Sequence, residues 1–219
     1  MREARVRARF GLPVFASDGP PAGPLEWADD AAKLIDDALS PGGIALITGP
    51  SGGGKSLLLR ALIGRTSASV ARPIAPRTRR SPVSMLRGDL DAALATLAAV
   101  GLGEARRLIT PAGLLSEGER ARLSLARAIF AAGPGSDIIC DEFASTLDRL
   151  TARSLCRCVR RALPTRARLV CATAHDDIAP HLDPQIVAVV SLTSPPEIVF
   201  KRRGSHGAAG AAGGRSGVA

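Results

Sequence analysis

The chain has 219 residues, of which 46% are hydrophobic and 22% charged, which suits one sizeable α/β core and is too apolar for a disordered chain. A net charge of +9 invites a nucleic-acid partner, but lysine is confined to Lys33, Lys55 and Lys201, so arginine dominates the 29 basic residues as in a GC-rich coding sequence. No apolar stretch reaches the roughly 20 residues that span a bilayer, and charges at Arg2, Glu3 and Arg5 leave no signal-like core, so a cytoplasmic protein is expected.

Val6, Ala8 and Phe10 alternate with Arg5, Arg7 and Arg9, the period-two pattern of a half-exposed edge strand. Segment 11–24 is rich in Gly, Pro, Ser and Asp and is predicted as loop; 28–39 is predicted as a helix with Ala31, Leu34, Ile35 and Ala38 on one face. The apolar run 44–47 is predicted as a buried parallel strand, followed by a Gly-rich loop and a helix over 56–63. Prolines and arginines break up 66–82, which is assigned at most a strand at 67–70; 90–100 is predicted helical. Ser116 and Glu119 have capping-box spacing, and Ala121, Leu125, Ala128, Ile129 and Ala132 continue an apolar helical stripe. Strands are predicted at 138–140, 168–172 and 186–192, with a helix over 151–163 and a last strand at 198–200. The Gly/Ala/Ser-rich segment 204–219 is predicted to be a disordered tail, leaving one domain over 1–203. Cys140, Cys156, Cys158 and Cys171 lack the CxxC pairs of zinc sites and are expected to be reduced thiols.

Gly49, Pro50, Ser51, Gly52, Gly53, Gly54, Lys55 and Ser56 spell a phosphate-binding loop between a strand and a helix. Its backbone N–H groups are expected to close around phosphates, Lys55 to reach the β- and γ-phosphates of ATP, and Ser56 to ligate magnesium. Asp141 and Glu142 end an apolar strand, where open α/β sheets bind ligands. Asp141 is expected to hold magnesium and Glu142 to act as general base on water; the plainer alternative is an acidic helix cap. Ser116 to Glu119 needs no ligand as a capping box, yet a helix N-terminus with Gly118 allows close approach of an anion. His175 alone, at a strand end, has no special task.

In order, Gly49 to Ser56, Leu115 to Glu119, Ile138 to Glu142, Ser145-Thr146-Leu147-Asp148 and His175 resemble the motifs of ABC ATPases. The resemblance implies a P-loop NTPase fold, α/β with a mixed sheet and flanking helices. It also implies a head-to-tail homodimer that sandwiches two ATPs, with Ser116 and Gly118 on γ-phosphate, His175 orienting it and Asp148 at the dimer seam. Lys55, Glu142 and His175 form the implied catalytic set, and Leu57 joins the nucleotide-binding set where the family commonly has a hydroxyl.

Departures from the family are specific. Gln185 is the only glutamine, so the glutamine that the family places between phosphate loop and signature is missing. Glu117 stands for the first signature glycine, Glu119 for its glutamine, and Phe143 where transporter members often have proline. Lys55 and Ser116 lie closer together than in transporter members, which implies a shortened helical subdomain and argues against a membrane-subunit partner. The spelling from Asp141 to Arg149, with Ala174 to Ile178 and Leu182-Asp183-Pro184, looks most like soluble ABC modules associated with acetyltransferase domains. For the adenine platform the chain offers Phe10, Phe15 and Trp27, with Phe10 the choice. The expected function is magnesium-dependent ATP hydrolysis that drives a conformational change. The alternatives are an ATP-gated nucleic-acid module using Arg72, Arg77, Arg79, Arg80 and Arg87, and the ATPase subunit of a membrane transporter.

Overall fold

Short apolar runs build a six-stranded sheet in the computed structural model, which describes residues 26–201. The predicted strand at 5–10, the loop 11–24, Phe10, Phe15 and the 204–219 tail lie outside the described residues. The strands are β1 (Ile44–Thr48), β2 (Ala68–Val70), β3 (Asp137–Cys140), β4 (Arg168–Thr173), β5 (Ile186–Val189) and β6 (Glu197–Phe200). Their order across the sheet is β2-β3-β4-β1-β5-β6, with the first five parallel and β6 antiparallel at the edge.

The alternation of side chains along each strand divides the core in two. Ile44, Leu46, Ile138, Cys140, Leu169 and Cys171 face one layer, and Ala45, Ile47, Ile139, Val170, Ala172 and Ile186 face the other. The second layer is closed by helices α1 (Glu26–Ala38) and α2 (Lys55–Arg65), which pack on each other. The first is closed by α4 (Leu90–Ala99), α6 (Glu117–Ala131) and α7 (Arg149–Ala162), with α3 (Pro82–Met85) and α5 (Ala105–Ile109) completing a small helical insertion between β2 and α6. Burial on both faces explains why the parallel strands read as continuous apolar runs. No helix among the described residues is long and apolar enough to cross a membrane.

Some boundaries differ from expectation. The strand predicted over 186–192 stops at Val189, because the Ser191 hydroxyl accepts hydrogen bonds from the N–H groups of Thr193 and Ser194 and turns the chain away. The helix predicted from 151 begins at Arg149, since the Asp148 side chain caps it by accepting the Thr151 N–H at 3.0 Å. Helices α3 and α5, and the short α8 (Ala179–Leu182), have no sequence counterpart in the predicted elements.

Candidate nucleotide site

Parallel pairing aligns the carboxyl ends of five strands, so the loops that follow them stand in a row. After β2 comes Ala71-Arg72, after β3 Asp141-Glu142, after β4 His175, and after β1 the loop Gly49 to Ser56. Residues far apart in sequence are thus brought together at the edge where α/β sheets bind ligands.

The phosphate loop owes its shape to glycine. Gly49 has φ +141°, and a Cβ there would lie 2.2 Å from the Val190 carbonyl oxygen. Gly54, immediately before α2, has φ +97°, and a Cβ would meet ring carbons of Trp27 at 2.8 and 2.9 Å. Trp27 therefore packs edge-on against the loop, and only glycine permits both the backbone turn and that approach. The Lys55 ammonium donates to the carbonyls of Gly49 and Pro50, each at 2.8 Å, curling over the loop. Ser51 and Gly52 are exposed at the tip, Gly53 is buried, and Leu57 is half-buried on the first turn of α2.

Ser56 donates to Asp141 Oδ2 at 2.7 Å, joining the first turn of α2 to the end of β3. The other carboxylate oxygen, Oδ1, accepts the Glu142 N–H at 2.9 Å. Glu142 (φ 51°) and Ala144 (φ 59°) are both left-handed non-glycines, a conformation that costs about 1–3 kcal/mol each and persists only where surroundings enforce it. The enforcement is visible: Phe143, between them, is buried and donates its N–H to the Ala172 carbonyl at 2.7 Å. The Cys140 thiol is pushed up to about 12, first by burial and then by Asp141, which makes it inert beside the carboxylates.

His175 sits where β4 ends, its Nε2 donating to the Ser145 carbonyl at 3.3 Å and its N–H to Thr173 Oγ1 at 3.1 Å. It latches β4 to the loop carrying Asp148. The Asp148 carboxyl is held below its usual range by its hydrogen bonds to Thr151 and serves as a local cap.

Ser116 and Glu119 form the predicted capping box in both directions: Glu119 N–H to Ser116 Oγ at 3.2 Å and Ser116 N–H to Glu119 Oε2 at 2.9 Å. The Ser116 hydroxyl accepts there and keeps its own proton to donate. A Cβ on Gly118 would lie 3.1 Å from Thr146 Oγ1, so α6 packs on the loop that follows Glu142. Beneath Gly118 lies Arg122, which sequence reasoning missed. Its Nε is buried with no hydrogen-bond partner among the described residues, and burial lowers its pKa against the pull of Glu119. Its only sequence signal is its place one helical turn after Gly118.

Glu119 makes a pH prediction. Its carboxyl is held below the usual value of 4.5, chiefly by the Ser116 backbone N–H, with Arg107 and Arg122 adding to this against burial. A depressed folded value means stability that is complete above the unfolded value and lost as pH falls through the folded one. Wild type is therefore expected to lose more urea stability than Glu119→Gln between about pH 5 and pH 3, by on the order of 1 kcal/mol or less. Parallel denaturation curves for the two proteins would disprove it.

A cavity of about 530 Å³ opens between α2, α6 and the carboxyl end of the sheet, with Ser56, Asp141, Glu142, Gly118, Arg60 and Arg72 in its lining. Among the described residues no hydrogen bond joins Ser116 or Gly118 to the phosphate loop. All five arginines of the nucleic-acid alternative are exposed, but they are split: Arg72 lines this cavity, while Arg77, Arg79, Arg80 and Arg87 lie around α3.

A phosphate loop, an acidic pair joined to it and a doubly covered parallel sheet together define a P-loop α/β fold. More narrowly, it is the fold of ABC ATPase cassettes. The cassette MJ0796, in a dimeric post-hydrolysis state bound to ADP and Pi, is 18% identical with TM-score 0.57, covering 74% of this chain and 87% of that one. MJ0796 as a dimeric bacterial ABC transporter cassette is 18% identical with TM-score 0.53, over 69% of this chain and 82% of that one. A bacterial Atm1-family ABC exporter with ATP bound is 17% identical with TM-score 0.55, over 70% of this chain and 32% of that one. No family model matches the chain, and no curated protein matches it.

Proposed function

We propose that the chain is a magnesium-dependent ATPase of the ABC type that works as a head-to-tail dimer and couples ATP to a conformational change. The observation that carries this reading is the 2.7 Å bond from Ser56 to Asp141, which ties the phosphate loop to the acidic pair. These two hard oxygen donors suit magnesium, which takes one or two protein oxygens and completes its shell with phosphates and water. Bound there, the ion neutralises phosphate charge. No group of three or more His, Cys, Asp or Glu converges among the described residues, and nucleotide phosphates and water would complete the shell of an ion held there.

The chain's own groups then divide the work. Lys55, now on loop carbonyls, turns to the β- and γ-phosphates, where its charge is worth more than on neutral acceptors. Glu142 accepts a proton from the attacking water. His175 leaves the Ser145 carbonyl and offers the freed Nε2–H to the γ-phosphate. Ser116 and Gly118, unconnected to their own phosphate loop, serve the loop of a second copy, with the hydroxyl proton and the helix N-terminus facing γ-phosphate. Three exposed leucines support a covering partner: Leu114 (77% exposed) before Ser116, Leu150 (78%) after Asp148, and Leu192 (70%) against Gly52. The small size of the α3–α5 insertion supports a role apart from a membrane subunit.

Trp27, the only tryptophan, touches Gly54 and provides the test. Mg-ATP is expected to change its fluorescence saturably, and Lys55→Ala to weaken that binding by about 100-fold or more. No saturable response in wild type, or equal affinity in the variant, would overturn the reading.

A further inference from the structure

The geometry points to Arg72 as a cationic group that contacts the γ-phosphate from within the same chain. This rests on the ATPase reading above and extends it to a residue that the sequence placed only in the nucleic-acid alternative. The segment after β2 is clamped on both sides. Ala71 N–H donates to the Ile139 carbonyl of β3 at 2.8 Å, and the Arg72 carbonyl accepts from the Ser124 hydroxyl of α6. Arg72 is thereby fixed through its backbone between the strand that delivers Asp141-Glu142 and the helix that begins at Ser116.

Arg72 is exposed and is among the residues lining the same cavity as Ser56, Asp141 and Glu142, and its side chain has no ion pair among the described residues. The neighbouring strand β3 presents two carboxylates at this edge, and Lys55 and Arg72 flank them from either side of the row of loops. Arg60 also lines the cavity, but it lies one turn along α2 from Ser56, about 6 Å further from the phosphate end. Gln185, the only glutamine, is held by Ser40 and Ala38 at the amino end of the sheet, so Arg72 is the polar side chain that the segment after β2 offers at the carboxyl end. A guanidinium there brings a fixed positive charge and a planar fork suited to phosphate oxygens. As the bond to the leaving group loosens, negative charge shared over the γ-oxygens is stabilised by Arg72 while Glu142 holds the proton of the attacking water.

The test uses the whole protein with Mg-ATP. Arg72→Ala is expected to lower kcat by about 10³-fold while changing the ATP Kd read from Trp27 fluorescence by no more than about threefold. Arg72→Lys should fall between, and added guanidinium ion should restore part of the Arg72→Ala rate, a response that a merely structural role does not give. Because the backbone of Arg72 makes the clamp, thermal unfolding of the variant should match wild type. If wild type turns over ATP and Arg72→Ala does so equally well, or if guanidinium has no effect on a slowed variant, this inference fails and the ATPase reading stands. If wild type does not bind Mg-ATP, both fall.

Discussion

Glu142→Gln is expected to slow phosphate release by about 10²–10⁴-fold, the usual contribution of a positioned general base, while leaving Mg-ATP affinity close to that of wild type. The substitution keeps the shape of the side chain and removes its capacity to accept a proton. The surrounding loop gives reason to expect no collapse, because it is held by backbone groups and by Phe143 rather than by the Glu142 carboxylate. Glu142 contributes its N–H to Asp141 and its carbonyl to Ser145, and glutamine keeps both. Its φ of 51° is equally available to either residue, so the backbone cost is unchanged.

The second half of this expectation concerns assembly. If Ser116 and Gly118 of one copy close on the γ-phosphate held by another, a variant that binds ATP without cleaving it accumulates as the dimer. Mass measured by light scattering in Mg-ATP should then double for Glu142→Gln and revert on adding EDTA. A variant that hydrolyses at the wild-type rate removes Glu142 from the chemistry. One that stops hydrolysis yet stays monomeric in saturating Mg-ATP keeps the base and removes the two-copy site.

What the sequence made legible was local. The glycine spacing of 49–56 encodes its own loop, and the Ser116–Glu119 spacing encodes two hydrogen bonds that both form. Apolar runs marked β1, β3 and β4 because both faces of those strands are covered. The failures arise where a side chain redirects backbone or where distant segments meet. Val190 and Leu192 continue an apolar pattern, but Ser191 captures the following N–H groups and ends β5. Asp148, which the family resemblance implies at a dimer seam, also starts α7 in the single chain. Helix α5, five residues long, is too short for a periodic signal. The place of Arg72 depends on β2 lying beside β3, a pairing that no local pattern announces. Arg122 under Gly118 is likewise a matter of packing. Trp27, one of three aromatics offered for adenine, proves to brace Gly54.

Arg168 carries the largest stability prediction, and the sequence marked it only as the start of a strand. Its guanidinium donates through Nε and Nη2 to both oxygens of Asp137, each at 2.6 Å, and through Nη2 to Asp36 at 2.8 Å. Nη1 adds the carbonyls of Asp36 and Leu39 at 3.1 and 3.4 Å. One cation thus ties the end of α1 to the amino ends of β3 and β4, and its pKa is raised, chiefly by Asp137. Removing the cation strands the Asp137 carboxylate, whose side chain is only 8% exposed. Arg168→Ala is therefore expected to cost about 3–5 kcal/mol, the usual effect of breaking a buried pair from one side. Arg168→Lys should recover part of this, since a single ammonium cannot reproduce the two-pronged contact. The more exposed pair Arg160–Asp183, with side chains 47% and 41% exposed, should cost no more than about 1 kcal/mol when broken. Urea unfolding of the three variants tests the ranking, and a loss under about 1 kcal/mol for Arg168→Ala would contradict it. Because Asp137 opens β3 and Asp141 follows its other end, the folded fraction of Arg168→Ala should bind Mg-ATP with wild-type affinity. The amino edge of the sheet then supplies stability, and the carboxyl edge is left free for the strained loops and polar groups on which the proposed chemistry depends.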